Sequence, residues 1–202
     1  MHGEFSAIVL AGGRSSRMGR PKAELKFGAN TLLERTVAEL SQSFPEVVVV
    51  ASPAGLPKAA RLGEVRIVRD EREHEGPLAA LGLGLSAIRN DYAFACACDS
   101  PLLRAELALS LCAMLEHYDA VVPEIAGLVQ PLHAVYRKRC IAAIQSMIAT
   151  GEARLAQIVQ AVSVRKVGEQ ELRALDPDLL SFLNLNTPED YQRALRLVSA
   201  TS

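Results

Sequence analysis

The segment from Leu10 to Lys22, LAGGRSSRMGRPK, contains three glycines, three arginines and one lysine but no acidic residue. We call residues 12–22 the glycine loop. It follows an apolar run at 7–10 that is typical of a buried strand. Glycines let backbone N–H groups approach an anion closely, and the arginines and lysine add positive charge. A strand that leads into such a loop indicates a phosphate-binding site, with a solvated basic turn as the alternative.

Neither of the two common phosphate-binding motifs is present in this loop. A P-loop needs Gly-Lys-Ser/Thr at its end, but Gly19 is followed by Arg20 and Pro21. The dinucleotide-binding motif needs one residue between its first two glycines, whereas Gly12 and Gly13 are adjacent. The sequence therefore argues against both a P-loop ATPase and an NAD-binding domain.

Two aspartates are predicted to follow strands. Asp99 comes after an apolar run, where a carboxylate is well placed to bind Mg²⁺ together with phosphate oxygens. The alternative is that Asp99 caps a helix whose first residue is Pro101, although Ser100 can fill that role. Asp70 begins a charge-dense stretch that by default is a solvated loop, and His74 within it is predicted to be a surface histidine.

Near the C-terminus, Asn184 and Asn186 alternate along a predicted strand end, so both side chains can face the same way. The alternative is that each is a turn residue with a local hydrogen bond. No role is assigned to Gln130, Pro131 or His133.

Strand-like and helix-like patterns alternate along the chain. Strands are predicted at 5–10, 46–51, 65–68, 92–98, 120–122, 132–136 and 182–185. Helices are predicted at 31–40, 77–88, 138–149 and 153–161, after Ser100, and from Pro188 with Thr187 as cap. This order predicts an α/β fold, a three-layer α/β/α sandwich on a mainly parallel sheet. Because ligands bind beyond the carboxyl ends of such strands, the glycine loop, Asp70, Asp99 and the two asparagines are expected on one rim.

The composition limits the classes of protein to consider. A chain of 202 residues is expected to form one domain, residues 1–202. A net charge of −1 and 4% aromatic residues argue against a nucleic-acid partner. The four cysteines are predicted to be buried free thiols rather than a zinc site or disulfides. No signal-like or membrane-spanning apolar run is present, so we expect a cytoplasmic protein without a membrane segment.

The whole pattern resembles a known family. The Leu10–Lys22 motif is similar to the signature of nucleotidyltransferases with a glycosyltransferase-A-like fold. Among these it most resembles the molybdenum cofactor guanylyltransferases (molybdopterin-guanine dinucleotide biosynthesis protein A). The resemblance extends over about residues 5–195 and includes Asp70, GPLA at 76–79, CDSP at 98–101 and NLNTPE at 184–189. It implies a nucleotide-diphospho-sugar transferase-like, Rossmann-like fold and an enzyme that transfers GMP from GTP to the phosphate of molybdopterin.

The resemblance also implies roles for individual residues. The implied catalytic residues are Arg17, Lys22 and Asp99, with Mg²⁺ on Asp99. The implied GTP-binding residues are Leu10, Ala11, Gly12, Gly13, Lys22, Asp70 and Asp99. The implied pterin side consists of Asn184, Asn186 and Arg154, the last in a GEAR segment that resembles Gly-Glu-Arg-Arg with one arginine lost; a surface arginine is the alternative. The implied partners, besides GTP and molybdopterin, are molybdenum-insertion proteins and molybdoenzyme chaperones.

The choice of base depends on one glycine. Similar enzymes that use CTP tend to have Ala-Ala-Gly where this chain has Ala11, Gly12 and Gly13, and a missing Cβ at residue 12 leaves room for a purine. Ala51 stands where the family commonly has Asn, which leaves the backbone or Ser52 for that contact. A cytidylyltransferase, or another nucleotidyltransferase acting on a different phosphorylated small molecule, remains an alternative. A non-catalytic GTP-binding regulator is a further alternative, against which Asp99 and the asparagine pair argue.

Overall fold

The apolar runs of the sequence form one mixed sheet in the computed structural model, which describes residues 5–12, 21–52, 56, 60–70 and 76–199. Within these residues the sheet has eight strands. They are β1 (Phe5–Ala11), β4 (Glu46–Ala51), β5 (Arg66–Arg69), β6 (Tyr92–Ala97), β7 (Ala120–Ile125), β8 (Leu128–Val129), β9 (His133–Arg137) and β10 (Val164–Val167). A separate hairpin consists of β2 (Lys26–Phe27) and β3 (Asn30–Thr31).

The strand order is β10-β7-β9-β6-β1-β4-β5, with β8 beside β7. Strands β6, β1, β4 and β5 are parallel, as are β7 and β10, whereas β9 runs antiparallel to both β6 and β7. Strand β7 therefore points the same way as β6. The carboxyl ends of these parallel strands lie at one edge of the sheet, which we call the carboxyl rim.

Helices cover both faces of the sheet. On one face, Ala7 and Val9 of β1 belong to a buried cluster that includes residues of α1 (Leu32–Ser41), α3 (Ala105–Ala113) and α6 (Glu169–Leu175). On the other face, Ile8 and Leu10 pack in a second cluster with α2 (Gly76–Ala87), α4 (Cys140–Ala149) and α5 (Ile158–Ala161). This arrangement confirms the three-layer sandwich and its mainly parallel sheet. The alternation follows from the two-residue period of a strand.

A third cluster attaches the last helix, α7 (Pro188–Ser199), to the β2–β3 hairpin through Phe27, Leu32, Leu185 and Ala194. Its N-terminus has the predicted cap, because Thr187 Oγ1 accepts a hydrogen bond from Asp190 N (3.2 Å). Asp190 Oδ2 accepts one in return from Thr187 N (2.9 Å). At α1 the cap is Thr31, in a capping box with Glu34.

Two predicted elements are wrong, and the helix predicted at 153–161 is shorter: only Ile158–Ala161 is α-helical, after a 3-10 helix at Leu155–Gln157. The helix after Asp99 does not begin at Pro101 with Ser100 as its cap: α3 begins at Ala105 after Arg104, and Pro101 lies in a turn in which Leu103 N donates to the carbonyl of Ser100 at 3.2 Å. The predicted strand at 182–185 is absent, because Leu180–Phe182 forms a short 3-10 helix and the following residues join no strand ladder. These two segments are hydrogen-bonded to each other instead, Ser100 to Asn184 and Leu185 to Asp99.

The cysteine prediction is confirmed, because Cys96, Cys98, Cys112 and Cys140 are buried and form no disulfide. Within the described residues, no helix is long and apolar enough to cross a membrane.

Candidate active site

Three predicted site residues meet at the carboxyl rim. Lys22 Nζ donates to Asp99 Oδ2 at 2.7 Å and to Asn186 Oδ1 at 2.8 Å. The side chains of Lys22 and Asp99 are 21% and 16% exposed, so this ion pair is accessible to a ligand while being shielded from most solvent. Lys22 begins a short 3-10 helix, Asp99 follows β6 closely, and Asn186 precedes α7. Segments distant in sequence thus place a cation, a carboxylate and an amide within hydrogen-bonding distance.

The β2–β3 hairpin and α7 hold Lys22 and Asn186 in place. The ring of Phe27 meets that of Tyr191 edge to face at 6.1 Å, and Tyr191 Oη donates to the carbonyl of Lys26 at 2.5 Å. Phe27 follows Lys22 by five residues and Tyr191 follows Asn186 by five. The contact between Phe27 and Tyr191 therefore joins the segment that follows Lys22 to the segment that follows Asn186.

The segment 184–186 is hydrogen-bonded to the turn at 99–100. Ser100 Oγ donates to Asn184 Oδ1 at 2.6 Å, and Leu185 N donates to the carbonyl of Asp99 at 2.9 Å. The side-chain hydrogen bonds of Asn184 and Asn186 thus span 84 and 164 residues, although the backbone N–H of Asn186 also donates locally to Asp190 Oδ2 at 3.0 Å. Because α3 begins only at Ala105, the alternative that Asp99 caps a helix at Pro101 is excluded.

Asp70 lies on the same rim but far from Asp99. It follows β5, and its N–H donates to the carbonyl of Ala51 at 2.9 Å. From β6 to β5 the order is β6-β1-β4-β5, so three strand spacings, about 14 Å, separate the two strand ends. This separation is too large for both carboxylates to bind one metal ion.

At the end of β1, between these two aspartates, glycine at residue 12 is not required by the fold. Leu10 and Ala11 are buried, and Gly12 is exposed. A Cβ built on Gly12 would lie 3.5 Å from Ser52 Cβ, an ordinary contact, and the φ of Gly12 is outside the left-handed region. A side chain at residue 12 would therefore be tolerated by the described fold. Gly13 and Arg17 themselves lie outside the described residues, as do Arg14, Arg20 and His74.

Arg154 is on the surface at the rim beside α2. Its guanidinium pairs with Glu152 at 2.9 Å and its side chain is 74% exposed. The hydrogen bonds from Arg154 lower the pKa of Glu152 to about 2. The carbonyl oxygen of Ala153, the residue before Arg154, lies 3.7 Å from the point that a Cβ on Gly76 would occupy. The structure thus shows the surface ion pair of the alternative interpretation and does not bring Arg154 into the Lys22–Asp99–Asn186 cluster.

His133, for which the sequence suggested no role, is buried in the same region. Its Nε2 has no hydrogen-bond partner within the described residues, and its ring lies 5.1 Å from that of Phe182. Burial lowers the pKa of His133 to about 4, against the opposing effects of the Asp99 charge and a hydrogen bond with the Ser181 backbone. The imidazole is therefore neutral at pH 7. A histidine inside an otherwise apolar strand pattern, LHAVY, was the available signal.

The donor set of the cluster fits a hard cation that binds few protein groups. Asp99 and Asn186 supply a carboxylate and an amide oxygen, and the described residues contain no group of three or more His, Cys, Asp or Glu that could hold a metal ion. Zinc sites use three or four protein ligands with nitrogen or sulfur donors. Mg²⁺ takes one or two carboxylates and completes its shell with phosphate oxygens and water, which agrees with this set.

The sequence is similar to known proteins over nearly its full length. The model of the MobA-like NTP transferase domain matches residues 7–167. A probable molybdenum cofactor guanylyltransferase of Pelotomaculum thermopropionicum is 35% identical, over 95% of this chain and 92% of that protein. A molybdenum cofactor guanylyltransferase of Desulfosudis oleivorans is 32% identical, with 96% of each chain covered.

Solved structures show the same fold. The molybdopterin-guanine dinucleotide biosynthesis protein A of Archaeoglobus fulgidus superposes with a TM-score of 0.81 at 23% identity, covering 97% of this chain and 100% of that one. The sandwich is therefore of the nucleotide-diphospho-sugar transferase type, as the resemblance implied.

Proposed function

Because this chain belongs to the family of MobA-like NTP transferases, we propose that it transfers GMP from GTP to the phosphate of molybdopterin. The products would be molybdopterin guanine dinucleotide and pyrophosphate, and residues 1–202 would act as one nucleotidyltransferase domain. The observation that carries the proposal is the Lys22–Asp99–Asn186 cluster at the carboxyl rim. The names of the relatives favour this reaction over that of a cytidylyltransferase.

The nucleotide would lie along the rim over β1, β4 and β5. Its base would contact the backbone of Leu10, Ala11 and Gly12, where the absence of a Cβ at residue 12 leaves room for a purine. Asp70, about 14 Å from Asp99, would bind the nucleoside end of the molecule. The triphosphate would then reach Lys22 and Asp99. Gly13 and Arg17 of the glycine loop would add a backbone donor and a cation.

The reaction needs no general base. The acceptor is a phosphate monoester with a second pKa of about 6, so at neutral pH it is largely a dianion. One of its oxygens would form a bond to the α-phosphorus of GTP while the bond from that phosphorus to the bridging oxygen breaks, and pyrophosphate leaves with the electron pair. Catalysis then consists of positioning and of neutralising charge.

Lys22 would neutralise the charge that develops on the leaving pyrophosphate. Its ammonium is held by Asp99 and Asn186, which fixes its position at the site. Asp99 would hold Mg²⁺, which when bound neutralises charge on the triphosphate oxygens. Binding of the nucleotide would therefore replace the Lys22–Asp99 ion pair by two others: Lys22 would pair with phosphate, and Asp99 would pair with Mg²⁺.

The acceptor would approach from the side of Asn184 and Asn186. Both amide oxygens are engaged, by Ser100 and Lys22, and no partner of either amide N–H₂ group is found within the described residues. These groups would donate to the acceptor, and Arg154 would be a further contact at the rim. Molybdenum-insertion proteins and molybdoenzyme chaperones would supply the acceptor and receive the product.

Two substitutions test this function. Lys22→Ala and Asp99→Ala are expected to reduce GTP-dependent pyrophosphate release with molybdopterin by at least a hundredfold, because each removes a charge that contacts the triphosphate. Lys26→Ala, a nearby exposed lysine, is the control and should retain wild-type turnover. Near-wild-type turnover in both site variants, with circular dichroism and thermal unfolding unchanged, would contradict the proposal.

A further inference from the structure

An open cleft lies at the carboxyl rim, beyond the end of β7. It has a volume of about 220 Å³ and is formed by the β7–β8 hairpin, the segment that precedes Asn184, and α7. Its lining includes Ile125, Gln130, Asp178, Leu179, Phe182 and Arg193. We call it the β7 cleft. Because β7 is parallel to β6, this cleft and Asp99 lie at the same edge of the sheet.

The β7 cleft is close to the Lys22–Asp99–Asn186 cluster. Phe182, in its wall, precedes Asn186 by four residues, which span at most about 14 Å of extended chain. The ring of Phe182 also lies 5.1 Å from that of His133, which is close enough to Asp99 to respond to its charge. A small molecule bound in the cleft could therefore extend a phosphate group to the cluster.

The position of the cleft separates it from the nucleotide. Asp70 and residues 10–12 lie at the ends of β5 and β1, on one side of Asp99, whereas the cleft lies at the end of β7, on the other side. In an in-line displacement the attacking and leaving oxygens are on opposite sides of the phosphorus. The acceptor oxygen must therefore reach the α-phosphorus from the side away from the pyrophosphate. The β7 cleft is on the side of Asp99 away from Asp70 and residues 10–12, so a molecule bound there would leave the proposed place of the nucleotide free.

The lining of the cleft is suited to a flat heterocycle with polar edges. Ile125, Leu179 and Phe182 provide an apolar and aromatic surface, while Asp178 and Arg193 provide a carboxylate and a guanidinium. Asp178 is exposed and forms no hydrogen bond or ion pair with any of the described residues. A carboxylate can accept two parallel N–H groups, and a guanidinium can donate to a carbonyl.

We propose that the β7 cleft binds the pterin ring of the acceptor, with Asp178 accepting its adjacent ring N–H and amino N–H groups and Arg193 donating to its carbonyl oxygen. The 2-amino-4-oxo edge of a pterin presents these donors and this acceptor side by side. Phe182 would stack on the ring. This assignment rests on the proposed function, since it identifies where the acceptor of that reaction binds.

Steady-state kinetics of the full chain test the assignment. With GTP saturating, Asp178→Ala and Arg193→Ala are each expected to raise the KM for molybdopterin about tenfold or more. With molybdopterin saturating, the KM for GTP is expected to be unchanged. Arg196→Ala, one turn further along α7 and also exposed, is the matched control and should have wild-type constants. An unchanged acceptor KM in both cleft variants overturns the assignment. A raised KM for GTP instead also overturns it, because the cleft would then hold the nucleotide.

A binding measurement separates this proposal from the proposed function. Free 2-amino-4-oxopteridine, followed by its own fluorescence, should bind to the wild-type protein and bind at least tenfold more weakly to Asp178→Ala. This result supports pterin binding in the β7 cleft even if the wild-type protein forms no dinucleotide. Failure to form the dinucleotide would overturn only the proposed function. Equal binding by the wild-type and variant proteins overturns the cleft.

Discussion

The buried imidazole of His133 determines how the stability of this fold should depend on pH. Its pKa is about 4 in the folded protein, against an ordinary value of 6.5, because burial disfavours the charged form. Between these values the unfolded chain binds more protons than the folded one, so stability falls as the pH is lowered. The full difference corresponds to about 3 kcal/mol. About 2 kcal/mol of it should be lost between pH 8 and pH 5.

Chemical denaturation at several pH values measures this loss. Wild-type protein and His133→Asn, which keeps a hydrogen-bond donor, are unfolded in urea between pH 8 and pH 5. The wild type should lose about 2 kcal/mol of unfolding free energy over this range, and the variant should lose almost none. Carboxylates whose pKa is lowered change the free energy of unfolding little between pH 8 and pH 5, because they stay charged in this range. At Glu46, for example, hydrogen bonds from Ser6 and Arg89 outweigh the effect of burial and lower the pKa below 4.5. Equal losses in both proteins would refute the reasoning.

Two further predictions concern packing around the sheet and the site. Gly84→Ala should destabilise the protein by about 1–3 kcal/mol in urea denaturation, because the new Cβ would lie 2.6 Å from Ile8 Cγ2 in the centre of the sheet. Gly82→Ala on the same helix, whose Cβ meets its nearest side-chain atom at 3.1 Å, should change stability by less than about 1 kcal/mol, since the helix gains propensity. Tyr191→Phe removes the hydrogen bond to the carbonyl of Lys26 and should cost about 1 kcal/mol by thermal unfolding; an unchanged Tm would show that this bond does not hold the hairpin.

The central part of the fold could be predicted from the sequence because its signals are local. The valine run at 46–51 coincides with β4, and Thr31 caps α1 as its spacing to Glu34 allows. The convergence of Lys22, Asp99 and Asn186 was also predictable. The rule that parallel strands end at a common edge places Asp99 there, and the resemblance of the Leu10–Lys22 and 184–189 motifs brings Lys22 and Asn186 to the same rim.

The remaining parts depend on contacts between distant segments. Ser100 has the chemistry of a helix cap, but its hydroxyl donates to Asn184, 84 residues later, and the helix begins five residues further on. The residues before Asn186 have the pattern of a strand, yet Leu185 donates to the Asp99 carbonyl instead of joining a ladder. Local propensity contains no information on either partner, and likewise none on the burial of His133 against Phe182.

The most direct test of the central claim is the identity of the product. The protein is incubated with molybdopterin, Mg²⁺ and equal concentrations of GTP and CTP, and the products are analysed by mass spectrometry. The proposed function predicts the guanine dinucleotide of molybdopterin, formed together with one equivalent of pyrophosphate. A cytosine dinucleotide as the main product, or molybdopterin recovered unchanged while the protein remains folded, would contradict it.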